Sequence, residues 1–134
     1  MTAIISAESP ISEKPEIDFR VFAERVGTVV HYGAGDIIFR ENDPSNVMYV
    51  VLRGSVEITS RDKVIDTIGA GKALGVIALL DNLPRTATAR ATVASELALI
   101  DRKTFRYMVD EIPNFGWYVM GELAHRLRTT NAAL

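Results

Sequence analysis

Between residues 29 and 101 the chain breaks into short β-rich runs, and this series limits its fold more than any other feature. The runs are 29–32, 36–40, 48–53, 55–59, 64–68, 86–93 and 96–101. They are rich in Val, Ile, Thr, Tyr and Phe and are punctuated by Gly33, Gly35, Asn42, Asp43, Pro44, Gly54, Gly69 and Gly71. Several short strands at regular spacing, with one helical insert near 78–80, close on one another as a small β-roll or jelly roll, a double-stranded β-helix. After Asp101 the apolar period lengthens. Residues 102–111 read as a helix with Phe105, Met108 and Val109 on one side, ended by Pro113. A second helix is predicted from about 114 to 130. Its Met120, Leu123 and Leu127 fall at three- and four-residue steps, continued more weakly by Thr130 and Leu134. That seam suits a dimer contact or packing on the roll's own surface. Gly116 and Gly121 each lower intrinsic helicity by ~1 kcal/mol relative to Ala, so the helix needs a partner in either case. Ahead of the roll, Asp18 is placed to cap a short helix that presents Phe19, Phe22 and Val26 and stops at Gly27. Residues 1–16, with Pro10 and Pro15, read as a flexible N-terminal arm before one domain over 17–134. The predicted class is mainly β with flanking helices: a roll over about 29–101 and C-terminal helices over about 102–130.

A chain of 134 residues is one domain by length and buries roughly two-thirds of its unfolded surface without staples. It has no cysteine, which removes disulfides, iron–sulfur clusters, thiolate zinc sites and thiol redox sensing together. A net charge of −2 argues against non-specific nucleic-acid binding, which needs a basic face. The N-terminal stretch has no basic region followed by an apolar core, and no run approaches the ~18 apolar residues of a membrane span. The expectation is a cytoplasmic protein that does not engage a membrane. No helix-turn-helix unit fits after the second helix, so direct DNA binding is not expected from this chain.

No catalytic constellation is visible. His31 and His125 are far apart and lie on different predicted elements, without the His-x-His and carboxylate company of a metal-binding jelly roll. His31 reads as a solvent-facing strand residue and His125 as an exposed helix residue beside Arg126 and Arg128. Residues 69–73 echo a phosphate-binding loop but lack its first glycine and the Ser/Thr after Lys72. No Gly-x-Ser-x-Gly elbow is present. The expectation is a non-enzyme with no metal site and no cofactor.

The run 75–90 is of a different kind. It joins Gly75, an apolar stretch through Ile77, Ala78 and Leu79, a turn, and then Pro84, Arg85, Thr86 and Ala87. A turn that opens a short helix, with an arginine returning to it, supplies what an anion needs: directed backbone N–H groups and a planar guanidinium.

These runs together resemble the cyclic nucleotide-binding domain family, which includes Crp/Fnr transcription regulators, kinase regulatory subunits and gated ion channels. The resemblance spans roughly 29–128. It rests on Gly33, Gly35, Asp36, Phe39 and Asp43, then on the strand 48–53 ending in Gly54, and on Leu99 to Phe105 where the family's B helix starts. Gly121 to Leu127 resembles the C helix, nearest to the Crp/Fnr branch. The family's phosphate-binding cassette, Gly-Glu-x-Ala-Leu followed by Arg-(Thr/Ala/Ser)-Ala, aligns on Gly75, Val76, Ile77, Ala78 and Leu79 and on Arg85, Thr86 and Ala87 without insertion or deletion.

The resemblance implies that Arg85 and the N–H groups around Ile77 and Ala78 hold the cyclic phosphate. Gly75 lets the backbone approach closely, and Thr86 lies near the base or phosphate. Among Thr129, Thr130 and Asn131, a C-helix side chain reaches the base. Two positions depart from the pattern: Val76 replaces the glutamate that accepts the ribose 2′-OH, and Lys72 stands where an acidic residue is usual. Losing a hydrogen bond to a charged group removes ~1.5–3 kcal/mol. That is ~10- to 150-fold in affinity, which Val76→Glu is expected to restore. The implied function is a regulatory sensor that binds cAMP or cGMP weakly and signals by movement of its B and C helices, through another protein or its own dimer. The alternative is a degenerate member that no longer binds nucleotide and serves as a dimerisation scaffold through Met120, Leu123 and Leu127.

Overall fold

The computed structural model describes residues 18–132, with side chains through 128; the N-terminal arm, Leu134 and the side chains of Thr129, Thr130 and Asn131 lie outside the described set. The elements run α1 (Arg20–Val26), β1 (Thr28–Tyr32), β2 (Ile37–Phe39), β3 (Val47–Arg53), β4 (Ser55–Ser60), β5 (Lys63–Gly69), β6 (Ala73–Leu74), α2 (Val76–Asp81), β7 (Thr88–Ala91), β8 (Ser95–Asp101), α3 (Arg102–Glu111) and α4 (Phe115–Ala132). Two four-stranded antiparallel sheets result, in the orders β1-β8-β3-β6 and β2-β7-β4-β5. This is the β-roll with flanking helices that the turn spacing predicts.

Strand β3 shows why the domain has two cores. Its residues 48–52 are all buried, so both faces of the strand are covered. Successive side chains point to opposite faces. Tyr49 and Val51 enter the interior of the roll with Val56, Ile58, Leu74, Ala89 and Leu97. Met48, Val50 and Leu52 face outward and meet the helices through Phe19, Leu79, Phe105, Met108, Phe115 and Val119. Phe115 stacks edge-on against Phe19 and Phe105, at centroid distances of 5.1 and 5.7 Å.

Helix α3 starts where Asp101 accepts the Thr104 N–H at 2.8 Å, and that hydrogen bond holds the Asp101 carboxyl below its usual range. Three expectations need correction. Phe22 and Val109 are exposed rather than on buried faces. The buried stripes run through Phe19, just before α1, and Ala23 on it, and through Phe105 and Met108 on α3 and Ile112 just after it, so Ala23 and Met108 are the buried neighbours of Phe22 and Val109. The run 86–93 is a strand only over Thr88–Ala91, because Arg85, Thr86 and Ala87 serve the cavity described below. A two-residue strand, Ala73–Leu74, was not anticipated.

Candidate functional site

Gly75 is the pivot of the site. Its φ of +80° is the left-handed region, and a Cβ there would lie 2.5 Å from Arg85 Nη1. Only glycine gives both the turn and the room. The chain then makes the six-residue helix α2 and leaves it through Asn82, again at positive φ. The following loop is pinned to the turn before β3. The Arg85 N–H donates to the Asp43 carbonyl, and the Asn42 N–H donates to the Arg85 carbonyl, both at 2.9 Å.

The Arg85 side chain turns inward and is only 3% exposed. Nη1 donates to the Gly75 carbonyl at 3.0 Å, and Nη2 donates to Ser45 Oγ at 2.6 Å and to the Val47 carbonyl at 2.8 Å. The guanidinium carbon lies 4.0 Å from the centre of the Phe39 ring, a cation–π contact. Burial pushes its pKa down, opposed by Tyr49 and Asp43 acting through space. Among the described residues, Arg85 Nε is the buried side-chain polar atom left without a partner. A guanidinium has five N–H donors. Three are used here, and a buried donor left unpaired is costly unless something else accepts from it.

Arg85 borders a cavity lined by Phe39, Ile58, Leu74, Gly75, Ile77, Ala78, Arg85, Thr86, Ala87 and Arg126. The structure thus brings together Gly75, Ile77, Ala78, Arg85 and Thr86. It leaves Val76 out. That side chain is 7% exposed and packs into the helix-side core with Ala73, Leu79, Phe115 and Val119. Among the described residues no carboxylate lines the cavity. The cavity volume is about 20 Å³, room for a single water.

Two residues of α4 reach this region. Arg126, one turn before the Thr129–Asn131 stretch singled out in the sequence, lines the cavity. Tyr118 ties the same helix to β6, its Oη accepting the Ala73 N–H at 2.9 Å two residues before Gly75. Burial, with Glu122 nearby, pushes the Tyr118 hydroxyl up to about 12 against that hydrogen bond. Ser45, the Val47 carbonyl, Tyr118 and Arg126 carry no local signal, because only the tertiary fold brings them to the cassette.

Met120, Leu123 and Leu127 do not share one environment. Leu123 is partly buried against the helix-side core. Met120 and Leu127 are 53% and 63% exposed, and Trp117 is 74% exposed. His31 is exposed, with Nε2 3.3 Å from Glu96 Oε2, while Arg53 pairs with the other oxygen, Oε1. Among the described residues no group of three His, Cys, Asp or Glu side chains is placed to hold a metal ion, and no helix is long and apolar enough to cross a membrane.

The model of the cyclic nucleotide-binding domain matches residues 29–111. The chain is 36% identical over 77 residues to a cGMP-dependent protein kinase of Drosophila melanogaster, covering 58% of this chain and 7% of the kinase. It is 26% identical over 107 residues to a CRP-like cAMP-activated global transcriptional regulator of Mycobacterium tuberculosis, covering 76% of this chain and 48% of the regulator. The chain therefore spans less than half the length of either relative. In fold it is similar to the Thermus thermophilus catabolite activator protein, with a TM-score of 0.76 at 24% identity over 93% of this chain and 61% of that one.

Proposed function

The chain belongs to the cyclic nucleotide-binding domain family, and from that premise we propose that it is a non-enzymatic sensor that takes a cyclic nucleotide against Arg85. The observation that carries this reading is the buried Arg85 guanidinium with its unpaired Nε at the edge of a cavity that also exposes Gly75, Ile77, Ala78 and Thr86. The relatives point to cAMP or cGMP as the ligand class, being a cGMP-dependent kinase and a cAMP-activated regulator.

Three parts of the site have separate roles in this reading. The spare N–H donors of Arg85 and the backbone around Ile77 and Ala78 take the phosphate, a charge-assisted contact. The ribose hydroxyl finds no carboxylate, so affinity lies ~10- to 150-fold below that of a site with one. The small cavity must open to admit a nucleotide. Arg126 and the Tyr118–Ala73 hydrogen bond make that opening felt by α4. A ligand shifts α4 only by as much as it binds the two arrangements differently.

Calorimetric titration with cAMP and cGMP up to millimolar concentration tests the reading. The expected result is binding in the micromolar to sub-millimolar range, lost in Arg85→Gln while circular dichroism still shows a folded domain. Wild-type silence toward both nucleotides overturns it.

The exposed Trp117, Met120 and Leu127 favour a second reading: a scaffold that pairs through α4 and no longer senses a nucleotide. In that case the titrations are silent and α4 alone determines assembly.

A further inference from the structure

The charges around the cavity say more about the ligand than the cassette pattern does. The charged side chains lining it are Arg85, from the loop after α2, and Arg126, from α4. Among the described residues no acidic one lines it. Val76, which begins α2, packs away from it into the helix-side core.

Neither cation is in an ion pair among the described residues. Arg85 bonds to two carbonyls and a hydroxyl, all neutral, and leaves Nε unpaired. Asp43 acts on it only through space, and the Asp43 carboxylate accepts the Arg40 N–H instead. Arg126 makes no ion pair among the described residues; Glu122, one turn back on α4, is not within ion-pair distance. Two cationic residues and, among the described residues, no acidic one therefore line the same cavity.

A cyclic phosphodiester carries a single negative charge and leaves one of these cations unanswered. A phosphate monoester carries up to two negative charges near neutral pH and three strong acceptor oxygens. It matches both guanidiniums, each a planar donor suited to phosphate oxygens.

Resting on the reading of Arg85 as a phosphate contact, we propose that this site favours phosphoryl ligands with two negative charges over monoanionic ones, and that Arg126 sets the preference. Arg126 is half-buried and lines the cavity from α4. It can follow the phosphate when the cavity opens, without leaving α4.

The test uses the whole chain at pH 8 and a pair of ligands that differ by one charge. These are adenosine 5′-monophosphate and its phosphate monomethyl ester, with cAMP as reference and adenosine as the uncharged control. The dianion is expected to bind at least about tenfold more tightly than the ester and than cAMP, a difference of one charge-assisted contact. In Arg126→Gln that ratio falls to within about twofold. Circular dichroism establishes that the variant is folded. The proposal is overturned if the ester or cAMP binds as tightly as the dianion, or if the preference survives in Arg126→Gln. Retained cAMP binding in either case leaves the sensor reading standing. Silence toward every adenosine phosphate removes both.

Discussion

The two cores of this domain differ in what closes them. The interior of the roll is walled by strands of both sheets, and its members Val51, Val56, Ala89 and Leu97 have no access to solvent. The helix-side core shares β3 with it but is closed on its far side by α4, whose other face carries the exposed Trp117, Met120 and Leu127. Closing the roll costs the cassette little freedom, because Arg85 is tied to Gly75, Ser45 and Val47 on the strand side. The helix-side core is closed by side chains of all four helices, and local stability is lowest where fewest buried contacts must be broken. In the proposed sensor reading, the strand side is a fixed wall that carries the anion contact and the helix side, with α4, is a movable wall that reports it. Val76 and Tyr118 stand on the border between the two.

The sharpest break in this comparison is at Val76. If it belongs to the movable wall, as its packing with Ala73, Leu79, Phe115 and Val119 indicates, Val76→Glu inserts a carboxylate into an apolar core. Burying a charge without a partner is among the few changes that cost several kcal/mol. The expected loss in chemical denaturation is about 2–4 kcal/mol, with no gain in cAMP affinity. The resemblance alone predicts the reverse, a restored ribose contact. A variant as stable as wild type that binds cAMP more tightly would show that the residue at 76 turns to the cavity, and the border would have to be redrawn.

The strand wall was largely legible in the sequence, and the helix wall only in outline. The turns at Gly33, Gly54 and Gly69 and the spacing from Gly75 to Arg85 depend on neighbours a few residues away, so local chemistry fixes them. The inward turn of Arg85 depends on Ser45 and the Val47 carbonyl, 40 and 38 residues distant. The place of Arg126 at the cavity depends on where α4 crosses the roll. Neither leaves a periodic trace. Phe22 and Val109 show a subtler limit: on helices of seven and ten residues, apolar side chains off the stripe read like members of it. Ala73–Leu74 is too short to show any period at all.

A smaller effect is expected at Tyr118, which joins the movable wall to the fixed one. Tyr118→Phe keeps the ring beside Phe19 and Phe115 and removes the acceptor for the Ala73 N–H. Leaving that donor unpaired costs about 1 kcal/mol. The variant also behaves differently in alkali. Burial raises the Tyr118 pKa from 10.0 to about 12, so the unfolded chain gives up this proton first as pH rises. The contribution is intact below pH 10 and lost as pH rises through about 12. Tyr32, also raised to about 12 by burial, keeps its share in both proteins. Denaturation midpoints from pH 9 to 12 should fall more steeply for wild type than for Tyr118→Phe. Equal slopes would mean that Tyr118 does not hold α4 to β6 in solution.

The smallest effect on folding, and the most telling about the outer face of the movable wall, is expected at Met120. It is half-exposed and lies outside the helix-side core, so Met120→Glu should change the stability of a lone domain by no more than about 0.5 kcal/mol. Trp117, Met120, Ala124 and Leu127 follow steps of three, four and three along α4, the spacing of a coiled-coil seam. Leu123 falls off that line and packs inward, which separates a face turned to the roll from a face turned to solvent. If two copies pair through the outer face, a glutamate at 120 puts like charges opposite each other. Sedimentation should then show wild type as a dimer and the variant as a monomer, with the denaturation midpoint no longer dependent on concentration. If wild type is already a monomer at high concentration, the outer face has no role in self-assembly. The movable wall then reports to the rest of a longer chain or to another protein, and the scaffold reading loses the one observation that favours it.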